Sequence, residues 1–536
     1  MQQFADLYRQ LDETTATSGK VAALADYFCT AAATDAAWAV YFLCGKRLRR
    51  LITTRELRTW TAAASGLPLW LVEDCYEHVG DLAETMALLL PDVDTAATTR
   101  DGMPLQHWVE QRLQPLQSLR DERARQQAVT SMWRELPAAQ RLVLNKLLTG
   151  AFRVGVSRRL VTRALAEVAG VDSTLIAHRL MGNWQPTAEA FQALIDPAPQ
   201  AVDRTAPYPF YLASPLPAAA SALGPYSDWI AEWKWDGIRA QLIRRADCCH
   251  LWSRGEELLN GRFPELETAA AALPDDCVLD GEIVAWRDDR PLPFNVLQTR
   301  IGRKKPGAIT LRKAPVSFLT YDLLELDNND CRQRPWHWRR QQLEQLLQQR
   351  QPSSLLASPL VTAASWSELA RRHDESRQRG VEGLVLKHRA SLYEVGRKRG
   401  GWWKWKIDPY TIDAVLIYAQ PGHGRRSNLM TDYTFAVWDK DQLVPFAKAY
   451  SGLSDQEFRQ LDRWIRQHTL ERFGPVRSVQ AEQVFELAFE GLNPSKRHKS
   501  GIAVRFPRML RWRQDLSIRD ADSLDDIRRL LPPSPP

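Results

Sequence analysis

The chain is 536 residues long, too long for a single core, and its length points to three domains. With 44% hydrophobic and 25% charged residues it has the balance of a soluble globular protein, which excludes a disordered or low-complexity chain. A net charge of +7 permits a polyanionic partner, and basic clusters at 46–50, 303–305, 397–399, 425–426 and 496–499 favour a nucleic-acid backbone. The seven cysteines (Cys29, Cys44, Cys75, Cys248, Cys249, Cys277, Cys331) include no Cys-x-x-Cys pair, and Cys75 with His78 has no second ligand pair nearby. That pattern argues against a structural zinc and for free thiols in a reducing compartment. The N-terminus, MQQFADLYRQLDE, lacks the basic start and apolar run of a signal peptide. The longest apolar stretch, 36–44, is about half a membrane span. A cytoplasmic protein without membrane contact is expected.

In chain order, apolar residues recur at helical spacing over 4–11, 21–28, 69–76, 82–90 and 142–148, so residues 1 to 190 read as an all-α region. Within it NKLLTGAFRVGVS (145–157) ends a helix at Thr149-Gly150 and then presents Arg153, Gly155 and Ser157, followed by Arg158 and Arg159. A helix terminus with glycines and arginines suits phosphate, which makes Arg153 and Arg158 candidate DNA-backbone contacts. Prolines crowd 185–217 and mark a linker. Strands are expected at 232–236, at 238–245 and 250–253 as a hairpin around Ala246-Asp247, and at 278–286, 316–326 and 381–387. Helices are expected at 339–350 and 366–380. After 408 come β segments at 412–418, 434–438, 443–449 and 484–489, with a helix over 452–473. A small OB-like barrel with an inserted helix fits that tail.

The chemistry concentrates in AEWKWDGIRAQ (231–241), which carries Lys-x-Asp-Gly-x-Arg as Lys234, Asp236, Gly237 and Arg239. A lysine amine can attack the α-phosphorus of a nucleotide, provided its site removes the proton held at its ordinary pKa of about 10.4. On a strand, Glu232, Lys234 and Asp236 share one face and Trp233 and Trp235 the other. Gly237 leaves room for a nucleotide or for backbone. Ser253-Arg254-Gly255-Glu256 ends a strand with an arginine suited to a phosphate or a sugar edge. LDGEIV (279–284) puts Asp280 and Glu282 on one face of an otherwise buried strand, and VEGLVLK (381–387) repeats the buried acid as Glu382. Such acids are costly unless paired or bound to metal. Tyr321 sets a ring beside Asp322, and WKWK (403–406) sets Lys404 and Lys406 opposite two tryptophans. Each block alone fits an internal salt bridge; their succession after Lys-x-Asp-Gly does not.

In this order, and over essentially the whole chain, the blocks resemble motifs I, Ia, III, IIIa, IV, V and VI of the ATP-dependent DNA ligases, within the covalent nucleotidyltransferases. The N-terminal half, with Val79-Gly80-Asp81-Leu82 and NKLLTGAFRVGVS, resembles the helical DNA-binding domain of the large bacterial members. The resemblance implies a multi-domain chain: an all-α DNA-binding domain with its linker (1–205), an α+β nucleotidyltransferase or adenylation domain (206–408), and a β-barrel OB-fold domain (409–536). It implies nick sealing in duplex DNA through a lysyl-AMP on Lys234, with ATP as AMP donor and Mg²⁺ or another divalent cation. Glu232 is then the partner of the adenine amino group, and Arg239 and Arg254 contact nucleotide and nick phosphate. Glu282 lies near ribose and metal, Tyr321 stacks on adenine, Glu382 supports the metal, and Lys404 and Lys406 reach the α-phosphate. Arg397, in the 397–399 cluster, joins Arg153 and Arg158 on DNA. Nicked double-stranded DNA is the expected partner of a monomer, and family analogy adds an Lhr-like helicase and a metallo-β-lactamase-type exonuclease.

One position departs. Motif VI reads Arg-x-Asp-Lys in the family, but here RWRQDL (511–516) keeps Arg513 and Asp515 and has Leu516 in place of the lysine. In the family the motif helps orient the leaving pyrophosphate, so the resemblance implies a slowed first step unless Arg519 or another basic residue substitutes. The alternatives are an RNA ligase or mRNA-capping guanylyltransferase, which share Lys-x-Asp-Gly, and a nick- or end-binding protein with weakened chemistry. The helical half argues against the first pair, and only Leu516 favours the last. An NAD-dependent ligase lacks support because the cysteines do not form its zinc module.

Overall fold

The computed structural model describes the chain except residues 15, 49–51, 80, 92–101, 151, 153, 183, 199–203, 423–428, 474–475, 496–497 and 532–536, and nothing is said of the side chains of 77 and 78. Arg153, expected on DNA, lies outside the described residues. Two compact units form: Met1–Thr15, Phe42–Val156 and Asp408–Pro536 make one, and Ala16–Tyr41 with Ser157–Ile407 the other. Among the described residues no helix is long and apolar enough to cross a membrane.

The N-terminal region is helical: α1 (Gln2–Glu13), α2 (Thr17–Thr30), α3 (Ala33–Leu43), α4 (Thr54–Ser65), α5 (Leu69–Val79), α6 (Leu82–Leu89), α7 (Glu122–Glu135), α8 (Ala138–Thr149), α9 (Arg158–Ala169), α10 (Ser173–Arg179) and α11 (Ala188–Ile195). In the first unit α1 buries Phe4, Leu7, Tyr8 and Leu11, the one-face spacing of a helix packed on a core. α4 begins with a capping box in which Thr53 and Glu56 satisfy each other's backbone amides. The apolar stretch at 36–44 belongs to α3, where Ala36, Ala37, Trp38, Ala39 and Val40 are buried in the protein's own core. α8 ends at Gly150, whose φ of 66° is the left-handed conformation that stops a helix. Within α8, Asn145 accepts from Trp133 Nε1 at 2.8 Å and Lys146 pairs with Asp81, so this part of the 145–157 block is internal packing.

The second unit carries two sheets. Its elements are β1 (Trp229–Trp233), β2 (Ile238–Arg245), β3 (Cys248–Ser253), β4 (Cys277–Arg287), β5 (Arg290–Pro291), α12 (Phe294–Ile301), α13 (Ala308–Lys313), β6 (Val316–Leu326), α14 (Trp336–Arg350), α15 (Trp366–Asp374), β7 (Gly383–His388) and β8 (Trp402–Lys406). One sheet runs β8–β7–β1, with Ser214–Pro215 beside β8, and the other runs β3–β2–β4–β6. β2 and β3 form the expected hairpin, and Ala246 and Asp247 turn it with φ of 44° and 62°. The first strand is Trp229–Trp233 rather than 232–236, and α15 stops at Asp374 rather than at 380.

The C-terminal region of the first unit is a β domain. Its elements are β9 (Tyr410–Pro421), β10 (Met430–Asp439), β11 (Gln442–Ala449), α16 (Asp455–Gln467), β12 (Thr469–Phe473), β13 (Val476–Val479), β14 (Val484–Phe489) and β15 (Arg508–Trp512). The sheet runs β11–β10–β9–β13–β12, with β14 paired to both β9 and β15. The helix expected over 452–473 is corrected by this arrangement. It ends at Gln467, and Thr469–Phe473 is a strand whose partner, Val476–Val479, supplies the backbone bonds that a longer helix would have made.

Candidate active site

Strand alternation builds the first wall. Glu232, Val385 and Lys404 lie side by side across β1, β7 and β8, with Lys387 beside Trp402 and Gly383 beside Lys406. The opposite face of the same strands (Trp229, Ala231, Trp233, Leu384, Leu386, Trp403) is buried core, which turns the charged residues to the other side. Just past β1, Lys234 keeps the pairing: its N–H donates to the Gly383 carbonyl and its own carbonyl accepts from the Glu382 N–H, both at 2.8 Å. Only glycine fits at 383, where φ is +127° and a Cβ would lie 2.1 Å from the Trp405 carbonyl. The Lys234 ammonium forms an ion pair with Glu382, and Lys406 Nζ lies 3.7 Å from the same carboxylate oxygen.

The second sheet supplies the other wall. Arg239 lies opposite Glu282, and Gln241 opposite Asp280. Gly237 has no room for a side chain because a Cβ there would meet the Ile283 carbonyl at 2.3 Å, so backbone takes the space reserved by this glycine. Tyr321 stands where the register between β4 and β6 slips by one residue, a bulge that re-aims its ring. The two acids of LDGEIV have different fates. Asp280, fully buried, is held by Arg239 at 2.7 and 3.2 Å and by the Tyr393 hydroxyl at 2.6 Å. Glu282 has no such clamp, and burial pushes its carboxyl up to about 8 against the pull of Lys234 and Arg239.

Three residues that carried no role in the sequence reading tie the walls together. Lys387 is 1% exposed; its ammonium sits 2.9 Å from Glu232 and donates to the Tyr321 carbonyl at 3.2 Å. It also lies 4.6 Å from the Tyr321 ring centre and 4.4 Å from that of Trp402. Arg340 reaches Glu232 at 3.5 Å and the Ser358 carbonyl at 2.7 Å. Burial draws Glu232 up and Lys387 down, while their mutual attraction opposes both shifts. Arg339 and Asp322 are both 0% exposed and joined by two hydrogen bonds of 2.6 and 2.9 Å. Removing one partner would strand the other charge. Asp322→Ala is therefore expected to lower stability by about 3–5 kcal/mol, read as a drop in the urea midpoint, and a loss below about 1 kcal/mol would contradict this.

Lys404 is half-buried; burial and the neighbouring Arg397, Lys406 and Lys234 hold it below the ordinary lysine range. Arg397 and Arg254 are exposed, and the Arg254 backbone extends the edge beside Arg239. Arg158 pairs with Glu256 and donates to the Leu180 carbonyl at 2.6 Å, so its guanidinium is engaged within the fold. In the other unit Arg513 is gripped by Asp413 and Asp515, each at 2.9 Å. Leu516 packs with Ile518 and Trp438 against Val415, Val484 and Ala521. Among the described residues no three His, Cys, Asp or Glu side chains gather as a metal cluster. Glu282 and Glu382 remain a fit for Mg²⁺, which takes one or two carboxylates and completes its shell with water and phosphate oxygens.

The chain matches the ATP dependent DNA ligase domain over residues 210–406, the DNA ligase N terminus over 1–166 and the ATP dependent DNA ligase C terminal region over 426–516. It is 31% identical over 560 residues to a probable DNA ligase of Koribacter versatilis, covering 98% of this chain and 95% of the relative. A probable DNA ligase of Streptomyces coelicolor is 28% identical, covering 98% and 97%. The fold resembles the solved structure Pmar-Lig_PreS3 with a TM-score of 0.62 at 16% identity, covering 95% and 99% of the two chains. With a relative this similar over nearly its whole length, the chain belongs to the ATP-dependent DNA ligase family and is an enzyme that seals nicks in DNA with ATP.

Proposed function

We propose that Lys234 is the nucleophile of this ligase. Its amine attacks the α-phosphorus of ATP, a nitrogen–phosphorus bond forms, and pyrophosphate departs. AMP then passes to the 5′-phosphate at the nick, and the 3′-hydroxyl attacks that phosphorus and releases AMP. The observation that carries this reading is the grouping of Lys234, Glu382 and Lys406 at one edge of the polar wall, with Lys404 on the same face. Nucleotide must draw Glu382 away from Lys234 before the amine is free. Lys404 and Lys406 would stabilise charge gathering on the non-bridging oxygens. Glu282 and Glu382 would hold Mg²⁺, which when bound neutralises phosphate charge. Tyr321 would face the base, Glu232 its edge, and Arg239 and Arg254 the sugar and phosphate; Lys387 supports the first two.

The domain scheme 1–205, 206–408 and 409–536 goes with this reading. The helix between β11 and β12 favours an OB-like barrel for the third part. Exposed Arg397 suits DNA backbone, whereas Arg158 would have to leave Glu256 first. A cytoplasmic monomer, working beside an Lhr-like helicase and a metallo-β-lactamase-type exonuclease, rests on family analogy alone.

The test is sealing of a 5′-phosphate nick in duplex DNA with each cofactor in turn. ATP with Mg²⁺ should support sealing, and GTP or NAD should not; sealing with NAD alone would overturn the reading. Leu516 bears on the first step. Lysine there would lose part of an apolar contact but can extend to solvent. Leu516→Lys is expected to cost about 1 kcal/mol of stability and to speed single-turnover adenylation roughly tenfold, and an unchanged rate would sink the idea.

A further inference from the structure

A run of exposed positive charge on the second unit begins at the far end of the strand that carries Glu282. The hairpin of β4 and β5 contributes Arg287 and Arg290, the loop 302–307 contributes Arg303, Lys304 and Lys305, and the end of α13 contributes Arg312 and Lys313. All seven are exposed, and Asp288 and Asp289 are the only acids from 287 to 313. The pieces are fastened into one surface. Arg287 donates to the Arg312 carbonyl at 2.9 Å, and Arg303 donates to the Thr310 hydroxyl at 2.8 Å. Arg287 and Arg290 face each other directly across the ladder, a like-charge pairing that destabilises a hairpin in isolation. Among the described residues none of the seven pairs with a carboxylate, whereas Arg300 on the same segment is buried against Glu265. A solvated charged face normally interleaves both signs; this one leaves its cations uncompensated and calls for an external polyanion.

Distance identifies the part of the polyanion. β4 carries Glu282 at the cleft and Arg287 five residues further along the same strand. At about 3.3 Å per residue Arg287 lies roughly 17 Å along the strand from Glu282. Duplex DNA advances about 3.4 Å per base pair, so that span is about five base pairs. We propose that the surface formed by 287–290, 302–307 and the end of α13 is a second DNA-backbone site, gripping duplex phosphates about five base pairs from the nick. It rests on the nick-sealing reading of the cleft and adds a contact with a defined reach.

The test compares wild type with a Lys304→Gln, Lys305→Gln, Arg312→Gln, Lys313→Gln variant, all at exposed positions. Binding is measured to nicked, hairpin-capped duplexes whose arms are about four or about twelve base pairs long, over a range of salt. Affinity for the long-armed duplex should fall at least about tenfold, and the slope of log K against log salt should shrink by about 2–4. Affinity for the short-armed duplex and adenylation by ATP should stay at wild-type level. Equal losses on both duplexes, or none on the long one, would overturn the proposal. A wild-type protein that binds neither nicked duplex would instead count against the nick-sealing reading itself.

Discussion

ATP-driven sealing of a 5′-phosphate nick is expected to fall at least about 10⁴-fold in Lys234→Ala, while sealing of a pre-adenylated nick survives within about 10²-fold. The asymmetry follows from where the amine is used. As the proposed nucleophile, its nitrogen would form a bond in the first step and break it in the second, leaving no other group to carry AMP. In the third step the 3′-hydroxyl is the nucleophile, and Lys234 could contribute only charge at the phosphate, beside Lys404 and Lys406. Quench-flow sealing of the two substrates reads both numbers on one preparation. Equal losses on both would mean that Lys234 serves as a charge or as a structural partner of Glu382 and not as the AMP carrier.

Glu382→Gln should behave differently, lowering sealing of both substrates by about 10²–10⁴-fold. The substitution keeps the shape of the side chain and removes its charge. In the free enzyme that charge is shared by Lys234 and Lys406. With substrate bound it would be handed to the divalent cation, which would neutralise phosphate charge at each attack on phosphorus and so in the third step as well. Glu382 precedes β7, whose Gly383 is locked against Trp405, so the carboxylate has little freedom to be replaced by a neighbour. A Glu382→Gln protein that seals the pre-adenylated nick at wild-type rate would contradict the assignment. The two variants together separate the carrier of AMP from the groups that serve every step.

Much of this was legible because the informative residues sit on strands, where alternation dictates which side chains share a face. Glu232, Lys404 and Lys406 fall on one side of the first sheet and Trp233, Trp403 and Trp405 on the other, as the pattern AEWKW…WKWK requires. What sequence could not distinguish was the fate of similar residues once packed. Asp280 and Glu282 read alike, but only Asp280 meets Arg239 and Tyr393, and Tyr393 arrives from more than a hundred positions away. Arg339 and Arg340 stand near the start of a helix rich in Gln and Arg; their burial against Asp322 and Glu232 is set by the docking of α14 on the sheets. Lys387 gave one signal, a lysine inside an apolar strand five residues after Glu382, and its neighbours Tyr321 and Trp402 come from other strands. The helix drawn over 452–473 failed for a related reason, since the pairing of Thr469–Phe473 with Val476–Val479 outweighs local helical preference. Arg158, chosen because it follows the helix end at Thr149-Gly150 with its glycines and arginines, is held by Glu256 and the Leu180 carbonyl.

Whether AMP is carried on Lys234 is read most directly by mapping the adduct. Purified protein, first stripped of bound AMP with pyrophosphate, is incubated with α-labelled ATP and Mg²⁺, denatured, digested and mapped by mass spectrometry. A single acid-labile AMP adduct is expected, on the peptide containing Lys234, and it should disappear when nicked DNA is added. An adduct on another residue, or none on protein that nevertheless seals nicks with ATP, would contradict Lys234 as the carrier.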